Sequence, residues 1–257
     1  MAATTLDIDE LNINRRSMPY EKFFGEMRLT KEQIRRRILL AEDFEDMMLY
    51  VFGLIAEYIS RDMPVDYDNV RNEIETEYQR IAGNEGVLDD DMLIYTAVFA
   101  NDFIRSTKRM MGNEVPSLIA EVLKDYSSGG SGSILQSVIK TAGEENKKLI
   151  EQIVKDTWFI SDDRARFIAE NESLTVEGYK DFKSASGKGY TRKQWIAIED
   201  ERTRPTHSLV DGTVVPIDDF FEVGAARLYY PHDTVIGNGA EHPEEIISCR
   251  CWVVFLR

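Results

Sequence analysis

The chain has 257 residues, 43% hydrophobic and 30% charged, with a formal net charge of −15, enough length for one large or two smaller well-buried domains. Most of the negative excess lies before residue 131, which disfavours non-specific wrapping of nucleic acid, because phosphate binding needs clustered cations. The longest apolar run, 47–56, is about half of the roughly 20 residues a membrane span needs, and the acidic N-terminus lacks the apolar core of a secretory signal, so a soluble protein made inside the cell is expected.

Residues 1–29 show no sustained period and read as a flexible arm or docking segment. At Thr30 the sequence T-K-E-Q forms a capping box with Gln33. The apolar positions Ile34, Ile38, Ala41, Phe44, Met48, Val51, Ile55 and Tyr58 then recur at helical spacing, predicting a helix to about Ser60, roughly 45 Å long. Pro64 closes it. Asp66 can cap a second helix over 67–82, polar on most faces and therefore expected at the periphery. A third is predicted over 89–111, with Asp89, Asp90 and Asp91 in its first turn and Arg105, Lys108 and Arg109 in its last, matching the helix dipole. Its middle, 93–100 with Phe103 and Ile104, is apolar almost all round and reads as core. A short helix over 116–126 completes this region.

Seven consecutive Ser and Gly residues, 127–133, read as a flexible linker or loop. Helical periodicity returns over 134–159, and Ser161 can cap a further helix. From Gly178 onward, glycines, aromatics and β-branched residues replace that period, predicting short strands near 190–198, 213–215, 227–230 and 251–255. The expected fold class is α+β: a mainly helical N-terminal region with long helices, then a small α+β domain. The predicted divisions are a helical docking region (1–126), the linker (127–133), helices leading into the C-terminal domain (134–180) and the small α+β domain (181–257).

All three histidines and both cysteines fall in the final segment. On a strand, Cys249 and Cys251 share a face with Cα atoms near 7 Å apart, outside comfortable disulfide geometry. With His207 and one of His232, His242 or Asp211 they can supply the tetrahedral N/S shell of a structural Zn²⁺. The plainer alternative is two small buried hydrophobes and a histidine bonded to backbone. Asp200, Arg202, Arg204, His207 and Asp211 form either an acid–base cluster with cationic anchors or a loop locked by Arg–carboxylate pairs, with Pro205 and Gly212 fixing turns; the locked loop is preferred. The basic residues Lys183, Lys188, Arg192, Lys193, Arg202 and Arg204, interleaved with Tyr190 and Trp195, suit nucleic-acid contact, against the commoner reading of a solvated face. G-x-S-x-G, H-E-x-x-H, Walker and Rossmann patterns do not occur.

The string D-E-R-T-R-P-T-H-x₃-D-G, then Y-P-H-D, then C-R-C resembles the C-terminal domain of the phage Mu F-like head morphogenesis (minor capsid) proteins of tailed bacteriophages. Asp200, Arg202, Thr203, Arg204, His207, Asp211 and Gly212 carry the central motif. Pro231 and Asp233 carry the next, and Cys249, Arg250 and Cys251 the last. Glu170 stands where the family usually has an arginine, and Ser248 where it has asparagine. The resemblance covers about residues 150–257. It implies a non-enzymatic, low-copy internal head component that associates with the portal protein and with the major capsid or scaffolding protein of the procapsid. It further implies contact with packaged double-stranded DNA, no membrane partner, and passage from host cytoplasm to virion head interior. Some relatives carry an effector domain after C-R-C; none is expected in a chain with so little sequence beyond Cys251. The rival expectation is a metal-dependent hydrolase or nuclease using the His/Cys cluster.

Overall fold

The computed structural model describes residues 19–27, 29–60, 63–111 and 161–257. The helices expected over 116–126 and 134–159 and the Ser/Gly run lie outside the described residues. The fold is α+β, with long helices first and short antiparallel strands last. In order these are α1 (Tyr20–Gly25), α2 (Lys31–Ser60), α3 (Tyr67–Asn84), α4 (Asp90–Met111), α5 (Asp162–Gly187), β1 (Arg192–Ile196), α6 (Pro205–Val210), β2 (Val214–Pro216), β3 (Phe221–Val223), β4 (Ala226–Leu228), a 3₁₀ turn (Gly239–Glu241), α7 (Pro243–Ile246) and β5 (Trp252–Leu256).

The helix starts follow from side-chain caps that satisfy otherwise orphaned backbone N–H groups. Gln33 N donates to Thr30 Oγ1 (3.3 Å), and Thr30 N donates back to Gln33 Oε1 (3.0 Å). Asp66 Oδ1 accepts from Asn69 N (3.0 Å), Asp89 Oδ1 from Met92 N and Ser161 Oγ from Arg164 N (both 3.2 Å), opening α3, α4 and α5.

Three sequence expectations need correction. The segment around α1 is not a free arm: Tyr20, Phe23, Phe24 and Met27 are buried. Helix α3 is not merely peripheral, since Val70, Ile74, Tyr78 and Ile81 form a narrow buried stripe beneath its polar faces. In α4 the apolar middle is not all core, with Leu93, Ile94 and Val98 exposed while Met92, Thr96, Ala100, Phe103 and Ile104 are buried.

Two compact units can be distinguished, and four helices contribute residues to both. One comprises described residues 45–80, 96–111 and 161–166. Its core holds Phe52 stacked on Phe103 at 6.0 Å and Tyr78 against Phe99 at 5.2 Å. The Arg164 guanidinium lies 4.9 Å from the Phe103 ring centre, a cation–π contact in a desolvated setting.

The other unit comprises described residues 19–44, 81–95 and 167–257. A three-stranded antiparallel sheet has the order β2-β1-β5, with Trp195 opposite Val253 and Gln194 opposite Val214. A separate hairpin pairs β3 with β4. One apolar cluster gathers Trp195, Phe221, Val223, Leu228, Ile246, Cys249 and Cys251. A second joins Tyr20, Phe23, Phe24, Met27 and Ala41 to Leu174 and Ile198. Helix α5 runs through Gly178, where the sequence pattern suggested its end. A Cβ at Gly178 would stand 2.8 Å from the Tyr230 ring and 3.3 Å from the Pro231 carbonyl, so the glycine permits close approach of the 230–231 loop.

Candidate metal centre

His207 is presented by α6, a short helix that Pro205 starts and Gly212 (φ 73°) follows. Gly212 N donates to Trp195 O (2.9 Å), fixing α6 against β1. The C-R-C motif enters β5, and Ser248 just before it takes a positive φ of 56°. That turn is pinned from α5, where Asn171 Oδ1 accepts from Ser248 N (2.8 Å).

These elements bring His207, Cys249 and Cys251 together, with one donor atom from each lying within 4.8 Å of the others. All three are buried. His207 Nδ1 is 3.3 Å from the Cys251 sulfur and 3.5 Å from that of Cys249. Its other nitrogen, Nε2, lies 3.0 Å from Glu245 Oε2. Glu245 is itself buried and accepts from Thr206 Oγ1 (2.7 Å). Cys251 N donates to the Cys249 sulfur (3.3 Å), and Trp195 meets the His207 ring edge-on at 5.7 Å.

The protonation of the cysteine pair is split. Burial opposes ionisation of Cys249, but a hydrogen bond from the Cys251 thiol, the charge of His232 and a hydrogen bond with His207 outweigh it and hold Cys249 well below its usual range. The Cys251 thiol is pushed up, chiefly by that same hydrogen bond to Cys249 and then by burial. For His207, burial lowers the pKa, but interaction with the Cys249 sulfur more than offsets it, and the net direction is upward.

The remaining motif residues lock this neighbourhood. Arg250 forms a two-pronged pair with Asp200 (2.6 and 2.8 Å), and this bond is the first cause holding the Asp200 carboxyl below its ordinary range. Arg202 pairs with Glu26, Thr203 Oγ1 donates to Ile198 O, and Arg204 donates to Ile247 O. Asp233, fully buried, accepts from Tyr229 N (2.7 Å) and Ile236 N (3.0 Å), tying the loop after Pro231, which is also buried. Burial raises the Asp233 pKa despite those bonds.

Several candidates lie elsewhere. Asp211 does not join the cluster; its Oδ1 accepts from Ala197 N (2.7 Å) and stitches α6 to the end of β1. His242 lies outside it too, paired with Glu244 at 3.1 Å. The basic residues do not share one free face. Lys183 pairs with Asp89 (2.9 Å), Arg192 reaches the Arg257 carbonyl (3.3 Å), and Lys188 is exposed. Lys193 is completely buried, donating to Ile217 O (2.7 Å) between the Phe182 and Tyr229 rings, each at 4.8 Å. A phosphate backbone cannot reach it.

Sequence reasoning missed Glu245 and Asn171. Glu245 is 38 residues from its histidine partner, and only the Pro243 helix start hinted that its side chain is held.

Residues 133–254 match the family described as "Phage Mu protein F like protein". The C-terminal region is thus similar to the phage Mu F-like family. Over 134 residues, 52% of the chain, it is 28% identical to an uncharacterized protein of Haemophilus influenzae, covering 26% of that protein's length. The chain thus spans about a quarter of this relative. No solved structure matches. The Mu F-like family points to phage head morphogenesis, typically a structural rather than an enzymatic role. Among the described residues, no helix is long and apolar enough to cross a membrane.

Proposed function

We propose that the chain is a minor head protein of a tailed bacteriophage, an internal, low-copy component that associates with the portal and procapsid and aids DNA packaging or delivery. In this reading it meets the portal protein and the major capsid or scaffolding protein in the host cytoplasm and ends in the virion head. The observation that carries the structural character of the role is what the Mu F-like motif residues do. Asp200, Arg202, Thr203, Arg204, Asp211 and Arg250 each make a bond that closes the fold on itself. His207, Cys249 and Glu245, the groups best suited to acid–base or nucleophilic work, are buried beneath them, whereas a hydrolase or nuclease must offer such groups to substrate.

Mass spectrometry of purified virions and of portal-containing complexes tests the reading. Peptides from this chain are expected in both, at far lower abundance than the major capsid protein. Absence from both would remove it.

A further inference from the structure

The geometry points to a closed structural metal site in which His207, His232, Cys249 and Cys251 bind one zinc ion. A tetrahedral zinc holds sulfur at about 2.3 Å and imidazole nitrogen at about 2.0–2.1 Å, which sets nitrogen–sulfur edges of about 3.6 Å. His207 Nδ1 already stands 3.3 and 3.5 Å from the two sulfurs. Its Nε2 faces the Glu245 carboxylate at 3.0 Å, the outer partner that metal-bound histidines commonly have, fixing Nδ1 as the donor. A cavity of about 20 Å³ touches His207, Cys249 and Cys251, space for a single small occupant.

His232 supplies the fourth donor. The side chain is buried, and among the described residues neither ring nitrogen has a well-formed hydrogen bond, a costly state for an imidazole. His232 and Cys251 both line a neighbouring small cavity of about 40 Å³. The backbone of His232 is held at φ 68°, a conformation unfavourable for a side chain with a Cβ and often retained where a ligand is gripped. Buried Asp233 fixes the same loop through Tyr229 N and Ile236 N. Two sulfurs on one imidazole nitrogen, with a second buried imidazole that lacks a well-formed hydrogen bond and shares a cavity lining with Cys251, suit a Cys₂His₂ metal shell. A Cys–His–Glu nucleophile would need only one thiol and a path for substrate.

Full-length protein purified without chelator provides the test. One zinc per chain is expected by elemental analysis. Exchange with cobalt(II) alone should give the intense visible bands of a tetrahedral site with thiolate charge transfer. Zinc X-ray absorption on the wild type should show two sulfur and two nitrogen neighbours. His232→Ala should weaken zinc binding at least about tenfold in competition with a chromophoric chelator and shift the cobalt bands, whereas His242→Ala should alter neither. If His232→Ala fails to fold, the wild-type absorption measurement still decides the ligand set. Substoichiometric metal with no cobalt spectrum overturns the site. A shell with one nitrogen, or a His232→Ala variant that binds like wild type, overturns the role of His232.

Discussion

Arg250 lies between the two cysteines in sequence, yet it meets Asp200 while they meet His207, so one short segment serves two networks. The Asp200 carboxyl is held below its ordinary range, first by the Arg250 hydrogen bonds. A depressed carboxylate stabilises the fold above the unfolded value of about 3.9 and loses that contribution as pH falls toward the folded value. Asp200→Asn should therefore melt below wild type at pH 7, with the gap closing below about pH 4 in paired thermal melts. A gap independent of pH would mean that the ion pair contributes nothing. Lys193 has the opposite sign. Burial lowers its pKa from 10.5 to about 8, so the unfolded chain binds more protons between those values and stability rises with pH across that window. Lys193→Met, which keeps the stem among the rings, should abolish that rise, an effect of at most about 3 kcal/mol. Denaturant titrations of both proteins at pH 7.5 and 10 measure it. A rise equal in both would assign the effect to other groups.

At the scale of elements, one substitution gives opposite results in two helices. Gly53 lies within α2, and a Cβ added there would meet nothing within 4 Å, so Gly53→Ala should stabilise by about 0.5–1 kcal/mol through helix propensity. At Gly178 in α5 the same methyl meets the fully buried Tyr230 ring at 2.8 Å and backbone at 3.3 Å. Gly178→Ala should therefore destabilise by about 1–3 kcal/mol despite the same propensity gain. Urea melts of the two variants check the pair, and a stabilised Gly178→Ala would show that the 230–231 loop yields freely. The two glycines also mark how far local patterns reach. The caps at Thr30, Asp66 and Ser161 were legible because each is settled within three residues. The continuation of α5 past Gly178 was not, because it depends on a contact with the distant Tyr230. The three-donor cluster was legible from the confinement of His and Cys to one segment. Glu245 and the burial of Lys193 were not, because a carboxylate in P-E-E-I or a lysine in R-K-Q-W gives no local sign of its long-range partners.

On the scale of the molecule, residues 167–254, the part of the Mu F-like match that lies in the sheet-containing unit, are not the whole of that unit. Leu174 and Ile198 are covered by Tyr20, Phe23, Phe24, Met27 and Ala41. The polar contacts repeat the pattern. Glu177, fully buried, depends on Arg36 (3.4 Å) and Arg37 (3.6 Å), Glu172 accepts from Tyr95 Oη (2.9 Å), and Tyr179 donates to Asp89 (2.7 Å). Removing residues 1–132 would expose an apolar face and leave the buried Glu177 carboxylate with Lys180 (3.7 Å) in place of three cations, and each effect is unfavourable. A fragment of residues 133–257 is accordingly expected to bind a hydrophobic dye and to unfold without a cooperative transition. In the full chain, Phe24→Ala should cost about 3–5 kcal/mol, the usual penalty for emptying a fully buried aromatic site. Hydrogen exchange at the β1–β5 amides gives the sharper reading, because Trp252 of β5 packs against this same cluster. Faster exchange there in Phe24→Ala would tie the N-terminal segment to the domain's stability. A fragment that melts cooperatively at the full chain's temperature would show instead that the family-matching region folds without it.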